Sequence, residues 1–306
     1  MSEERAKSTV LVISSQVARG AIGGRGAVFA LERLGHPVWS VPTVWMPWHP
    51  GHGRSTRLVP EAEAFAEALA EIAESRWAEE IETVVTGWFA DAAQIEATAR
   101  LIERLRLTTP GLRLVVDPIL GDGAGSGRGA LYVAEATARA QRDRLLPLAD
   151  VATPNLFELG WLSGRSVATT AETITAARAL APPIIAVTSA PAMMTRSIGT
   201  LLVTADAATQ FEHPLIEPAP HGTGDLFAGL LAARLSEGAA PEAATARAVA
   251  SVFELVARSA RAGSDELIIA AEQDVLVHPM AMVSSRRIGE ARSPGKRAVV
   301  RPVALD

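Results

Sequence analysis

Short apolar runs alternate along this chain with longer segments of helical periodicity. Residues 9–14 (Thr-Val-Leu-Val-Ile-Ser) form a continuous run of strand length, which predicts a buried strand. Runs at 38–44, 83–86, 112–116, 151–153 and 184–188 carry the same signature. Between them, 27–34, 61–75, 91–105, 134–145 and 171–180 repeat apolar residues at helical spacing, and another helix is expected from Leu156. Gly35-His36-Pro37 stops the first of these helices. Residues 199–204 and 208–213 are spaced to pair as edge strands, and 225–235 and 241–260 are expected helices. Strands alternating with helices imply a central, mostly parallel sheet covered on both faces, a three-layer α/β/α sandwich.

Ligands of such sheets gather at the carboxyl ends of the strands. Gly87-Trp88, Asp117, Thr153-Pro154-Asn155 and Thr188-Ser189 all fall there. Residues 45–57 have no period and read as a long apolar loop, a kind that often carries function. Residues 121–129 hold five glycines in nine positions and read as a mobile flap. The expected organisation is one domain over 1–283, then a flexible basic tail over 284–306, with five Arg and one Lys between Ser284 and Arg301.

Composition narrows the function. With 306 residues, 48% hydrophobic and 21% charged, the chain can bury a core without covalent staples. It has no cysteine, which excludes disulfides, a thiol nucleophile and thiolate metal sites and suits a cytoplasmic location. A net charge of -5 argues against a general nucleic-acid surface. No apolar run reaches the length of a membrane span, and the polar start (Met-Ser-Glu-Glu-Arg-Ala-Lys) does not read as a signal peptide.

The candidate chemistry centres on His221-Gly222-Thr223-Gly224-Asp225, which runs into the apolar helix Leu-Phe-Ala-Gly-Leu-Leu. Glycines let successive N–H groups point at one spot, and a helix start adds free donors and partial positive charge, together an anion pocket. Asp225 beside it is either an N-cap or a general base for a hydroxyl attacking a phosphoryl group.

These motifs, in order, resemble the ribokinase-like superfamily and, within it, the pyridoxal kinase family. Three blocks carry the resemblance: residues 13–24 (Ile-Ser-Ser-Gln-Val-Ala-Arg-Gly-Ala-Ile-Gly-Gly), then Asp117-Pro-Ile-Leu-Gly-Asp122 with Thr153-Pro-Asn-Leu-Phe-Glu158, then Gly222–Asp225. Thr-Val-Trp-Met-Pro-Trp-His (43–49) points to the pyridoxal branch. The resemblance implies a ribokinase-like fold and ATP-dependent phosphorylation of the pyridoxal 5'-hydroxymethyl, with pyridoxine and pyridoxamine as related acceptors. Asp225 would be the base, and Gly222, Thr223 and Gly224 would hold the γ-phosphoryl oxygens. Asp117 and Glu158 would organise Mg2+ through water; their bland alternatives are a strand-end cap and a helix-surface carboxylate. A monovalent cation is a further candidate.

The resemblance also places Thr153, Asn155 and Thr188 near the nucleotide phosphates, with Thr188 where relatives often carry lysine. His213, Pro214, Leu215 and Ile216 would line the adenine side, or be only an edge strand. Arg128 in the flap would touch phosphate or face solvent. In the acceptor pocket, Ser15 would meet the ring's polar edge, Val44 and Met46 would form the apolar wall, and Trp88 would pack on the ring. His49 would lie near its substituents, and Pro50 stands where the family usually has threonine. Trp88 and His49 also admit a purely structural role. Relatives are usually homodimers.

Three alternatives remain at this level. A hydroxymethylpyrimidine kinase shares the Gly-Thr-Gly turn but normally has cysteine where Asp225 stands. A sugar kinase would carry an acidic pair near the N-terminus, which Ser14-Ser15-Gln16 does not supply. A non-catalytic vitamer-binding protein on the same fold is motivated by Pro50 and Thr188.

Overall fold

The computed structural model describes residues 7–123 and 129–288. The first half runs β1 (Thr9–Val17), α1 (Gly24–Arg33), β2 (Val38–Met46), α2 (Ala62–Glu74), β3 (Ile81–Thr86), α3 (Ala92–Thr108) and β4 (Arg113–Val116). A small hairpin, β5 (Gly121–Asp122) with β6 (Ala130–Leu131), precedes α4 (Glu135–Ala140), which continues as a wider π turn through Leu145. Then come β7 (Val151–Ala152), α5 (Leu156–Ser163), α6 (Thr170–Arg178), β8 (Ile184–Ala190), β9 (Ser197–Val203) and β10 (Ala208–Pro214). The last elements among the described residues are α7 (Thr223–Ser236), α8 (Pro241–Arg261), α9 (Asp274–Val277) and β11 (Ser284–Arg287).

These strands form a nine-stranded sheet in the order β11-β10-β9-β8-β7-β4-β3-β1-β2. The pairings from β2 to β8 are parallel, and those of β9 with β8 and β10, and of β10 with β11, are antiparallel. Successive strand side chains point to opposite faces, so each strand feeds two cores. Leu11, Ile13, Leu114, Val116, Ile185 and Val187 pack on one side with Leu101 and Leu105 of α3 and Leu159 of α5. Val10, Val12, Val115, Val151 and Ala186 pack on the other with Leu31 of α1, Leu230 of α7 and Val249 of α8. This is the three-layer arrangement the alternation predicts.

Two expectations change. The pair β9–β10 is not the sheet's edge, and the basic segment does not leave the fold at Ser284. Ser284–Arg287 pairs with Glu212–Thr209 of β10 as the outermost strand, all four residues exposed. An edge strand of Ser and Arg is short and charged, which discourages pairing with another chain. The remainder of the expected tail, from residue 289, lies outside the described residues. So do 124–128 of the expected flap, Arg128 included.

Candidate active site

The carboxyl ends of the parallel strands and the N-termini of α1 and α7 meet at one cleft. Gly222 caps α7 at φ 90°, a left-handed conformation that favours glycine, and a Cβ there would stand 2.8 Å from Ala21 O. The first bond closing the helix is Leu226 N–H to Gly222 O at 3.1 Å. Helix geometry therefore leaves the N–H groups of Thr223, Gly224 and Asp225 without a partner in the preceding turn, as an anion site requires. Beyond them α7 is buried on every side from Leu226 to Leu235. A fully packed helix gives Asp225 a rigid mount.

Asp225 is half-buried on this first turn. Burial raises its pKa to about 6, while the backbone N–H groups of Gly23 and of Asp225 itself pull the other way. A carboxylate so tuned is a competent proton acceptor near neutral pH.

Asp117 follows β4 and is 5% exposed. Its Oδ1 accepts the Thr153 hydroxyl at 2.9 Å, whereas its Oδ2 is buried with no hydrogen-bond partner. A Cβ on Gly224 would lie 3.7 Å from that Oδ2, so the orphan oxygen faces the Gly222–Asp225 turn. Burial, then repulsion from Asp225 and Glu158, pushes the Asp117 carboxyl well above the usual range. The next turn holds Ile119 at φ 44°, a strained conformation for a β-branched residue.

Glu158 is 3% exposed, which rules out the helix-surface alternative. It closes a capping box with Asn155: its Oε2 accepts Asn155 N–H at 2.8 Å and Asn155 Oδ1 accepts Glu158 N–H at 2.9 Å. Its Oε1 accepts Leu120 N–H at 2.7 Å and Gly121 N–H at 3.4 Å, tying the base of the β5–β6 hairpin to α5. Burial raises its pKa to about 7 against these donors. The three raised carboxyls, the hard oxygen donors and the unpartnered Asp117 Oδ2 fit a hydrated Mg2+, which would relieve the repulsion. Among the described residues no three His, Cys, Asp or Glu side chains are grouped to cage a metal alone, so water and phosphate oxygens must complete such a shell.

A cavity of about 280 Å3 opens beside the turn, lined by Asn155, Thr188, His213, Leu215, Thr223 and Phe253 among others. Pro214, Ile216 and Gly224 also line it, so the expected nucleotide residues apart from Asp117, Thr153 and Glu158 share one wall. Thr153 is instead committed to Asp117. Asn155 Nδ2 donates to Gly121 O at 2.8 Å, and Thr188 bridges to Asn155 at its strand end. The His213 ring stacks on Phe253 at 4.5 Å. Sequence reasoning missed Phe253 with Val249, Val252 and Val256, although their i, i+3, i+4, i+7 spacing on α8 marks one face.

Across the turn lies the acceptor wall. Val44 and Met46 cluster with Val17 and Ile22, and Trp88 packs against them. Ser15 sits at a bulge where the β1–β2 register shifts, with Gly23 directly against its Oγ. Thr43 Oγ1 donates to Trp88 O at 2.6 Å, and the buried Gln94 donates to Thr43 O at 2.8 Å and accepts Ala90 N–H at 3.0 Å. These two residues, unforeseen in the sequence, hold Trp88 in place. Pro50 opens a 3-10 turn through His52, in which His49 Nδ1 accepts Gly51 N–H at 3.1 Å. Gly51 itself is wedged between rings: a Cβ would stand 2.6 Å from His221 Nε2 and 2.9 Å from His49 Nδ1. We expect Gly51→Ala to raise the acceptor KM by about tenfold, the scale of one lost buried contact, while the ATP KM stays put; equal effects on both would refute this placement.

A family model described as phosphomethylpyrimidine kinase matches residues 58–269. The chain is 37% identical over 270 residues to the pyridoxine/pyridoxal/pyridoxamine kinase of Bordetella bronchiseptica, covering 85% of this chain and 93% of that protein. It is 33% identical over 288 residues to the pyridoxal kinase PdxY of Rubrobacter xylanophilus, covering 91% and 97%. The structure of Leishmania donovani pyridoxal kinase in complex with ADP and pyridoxamine superposes with a TM-score of 0.85 at 26% identity, over 92% of this chain and 100% of that one. Fold and cleft together define the class, a ribokinase-like small-molecule kinase. Within that class the chain belongs to the pyridoxal kinase family.

Proposed function

We propose that the protein transfers the γ-phosphoryl group of ATP to the 5'-hydroxymethyl of pyridoxal, giving pyridoxal 5'-phosphate and ADP in vitamin B6 salvage. The hydroxymethyl oxygen attacks the γ-phosphorus, the bond to the β–γ bridging oxygen breaks, and the hydroxyl proton passes to Asp225. What supports this reading is the turn that carries Asp225: Gly222 abuts Ile22 of the cluster that holds Trp88, Thr223 and Gly224 line the nucleotide cavity, and Gly224 faces Asp117 Oδ2. The amides of Thr223 and Gly224 hold the transferring oxygens, and Asn155, Thr188 and the His213–Phe253 stack orient the nucleotide. Asp117, with Glu158 behind it, would hold Mg2+ through water, and the ion when bound neutralises phosphate charge.

The base must be ionised to take the proton, so acid pH removes activity. We expect kcat/KM to fall on the acid side with an apparent pKa of 6 to 7 belonging to the Asp225–Asp117–Glu158 cluster. A limb at the ordinary carboxylate value of about 4 would speak against the raised cluster.

A second reading, a hydroxymethylpyrimidine kinase, is favoured by the description of the matching family model. Asp225 stands where that branch is expected to have cysteine, which weighs against it. ADP release measured with ATP, Mg2+ and each vitamer tests the leading reading; micromolar binding without release would instead support a non-catalytic vitamer-binding protein. We extend the proposal to a homodimer acting in the cytoplasm, on the strength of the family resemblance. Among the described residues no helix is long and apolar enough to cross a membrane.

A further inference from the structure

Phe157, on the first turn of α5, is a large aromatic side chain that belongs to neither core. Leu156 and Leu159 of the same helix pack into the α3 side, whereas Phe157 is half-buried against the β5–β6 hairpin. Glycines meet its ring at opposite edges. A Cβ on Gly121 would stand 2.6 Å from Phe157 Cε1, and a Cβ on Gly129 would overlap Cδ2 and Cε2. A Cβ on Gly123 would lie 3.6 Å from Phe157 Cβ. None of these three glycines has a left-handed φ, so at Gly121 and Gly129 it is the space taken by the ring, not backbone conformation, that excludes a side chain.

The polar bonds from α5 fasten the β5 stem. Glu158 Oε1 accepts the Leu120 and Gly121 N–H groups, and Asn155 Nδ2 donates to Gly121 O. The β6 stem joins β5 through the pairs Gly121–Leu131 and Asp122–Ala130, and through Tyr132 N–H to Leu120 O at 2.7 Å. A ladder this short is marginal unless it packs on something. The Phe157 ring supplies that support, because it reaches both stems from one helix. What the hairpin carries is Asp122, which lines the nucleotide cavity with Asn155, Thr223 and Gly224 and is hydrogen-bonded by the Tyr132 phenol. Phe157 itself does not line that cavity.

We propose that Phe157 is a positioning residue for the nucleotide end of the reaction: its ring, filling the space between Gly121 and Gly129, sets the hairpin against α5 and so places Asp122 in the nucleotide cavity. This inference rests on the ATP-dependent kinase reading and adds to it the side chain that holds the hairpin in register with the Asn155 turn.

The test is a double-mutant cycle of Phe157→Ala and Gly129→Ala in the full chain. It is read by steady-state kinetics and by hydrogen exchange of the nucleotide-free protein. Phe157→Ala removes the support and is expected to raise the ATP KM roughly tenfold, within the coupling span of residues in contact, while the pyridoxal KM holds. Gly129→Ala drives the ring from its seat and should raise the ATP KM similarly. Added to Phe157→Ala it should raise it no further, since the ring it would strike is gone. In Phe157→Ala the Gly121 and Tyr132 amides should exchange several-fold faster, and those of β1 and β4 should keep their rates. Phe157→Leu, which retains part of the apolar volume, is run alongside in case the alanine variant does not fold, with effects of the same sign. Additive KM effects, ATP and pyridoxal KM rising together, or unchanged exchange at the hairpin overturns the proposal and makes the ring ordinary packing. If the wild type phosphorylates no vitamer, the kinase reading is what fails. Hairpin exchange then decides the role of Phe157 alone: faster exchange in the variant upholds it, and an unchanged rate overturns it.

Discussion

Asp225→Asn is expected to lower kcat about 10^3-fold, within the usual span for loss of a general base, while ATP and vitamer affinities change little. The amide keeps the shape of the side chain and an oxygen for the Gly23 N–H, so the pocket stays built. What it loses is the ability to accept the hydroxymethyl proton. Fold stability should not suffer, because the carboxylate is held in a burial that disfavours its charge. Steady-state kinetics with direct binding measurements separates the outcomes. A kcat within tenfold of wild type would mean that the proton leaves by another route and that Asp225 serves only the helix end.

Asp117→Asn should have the second-largest effect, with opposite signs on activity and stability. The carboxyl is buried, one oxygen lacks a partner, and two further carboxyls repel it. Removing its charge relieves the unliganded protein, so the Tm rises. The same change takes a hard oxygen anion from the position where Mg2+ fits. We expect kcat to drop roughly 10^2-fold, the scale of one lost electrostatic contact in a phosphoryl-transfer site, and the Mg2+ concentration for half-maximal rate to increase. A lower Tm together with an unchanged Mg2+ requirement would show Asp117 to be an ordinary strand-end cap.

Much of this architecture is readable in the chain because parallel strands are buried on both faces. Runs such as Val10–Ile13 and Leu114–Val116 are apolar throughout, and the polar residues after them mark the ligand edge of the sheet. Asp117, Thr153 and Asn155 stand out for that reason, and the spacing of Asn155 with Glu158 is a capping box legible in sequence. Strand β11 is not legible: Ser-Ser-Arg-Arg has no apolar face, and it pairs only because β10 offers an open edge. The role of Glu158 at the hairpin base is hidden for another reason, since its donors at Leu120 and Gly121 belong to a different segment. The histidine cluster is hidden in the same way. His49 and His52 lie far from His221 and Glu266 along the chain, and only the return of α7 to the sheet's carboxyl edge unites them.

The central claim is that this cleft passes phosphate from ATP to a pyridoxal hydroxymethyl through Asp225. A single competition tests it most directly: pyridoxal and hydroxymethylpyrimidine together with limiting ATP, Mg2+ and the full-length protein, the products resolved by mass. The account predicts pyridoxal 5'-phosphate as the dominant phosphorylated product in the wild type and its loss in Asp225→Asn. Phosphate found chiefly on the pyrimidine, or ATP consumed with neither acceptor phosphorylated, would contradict it.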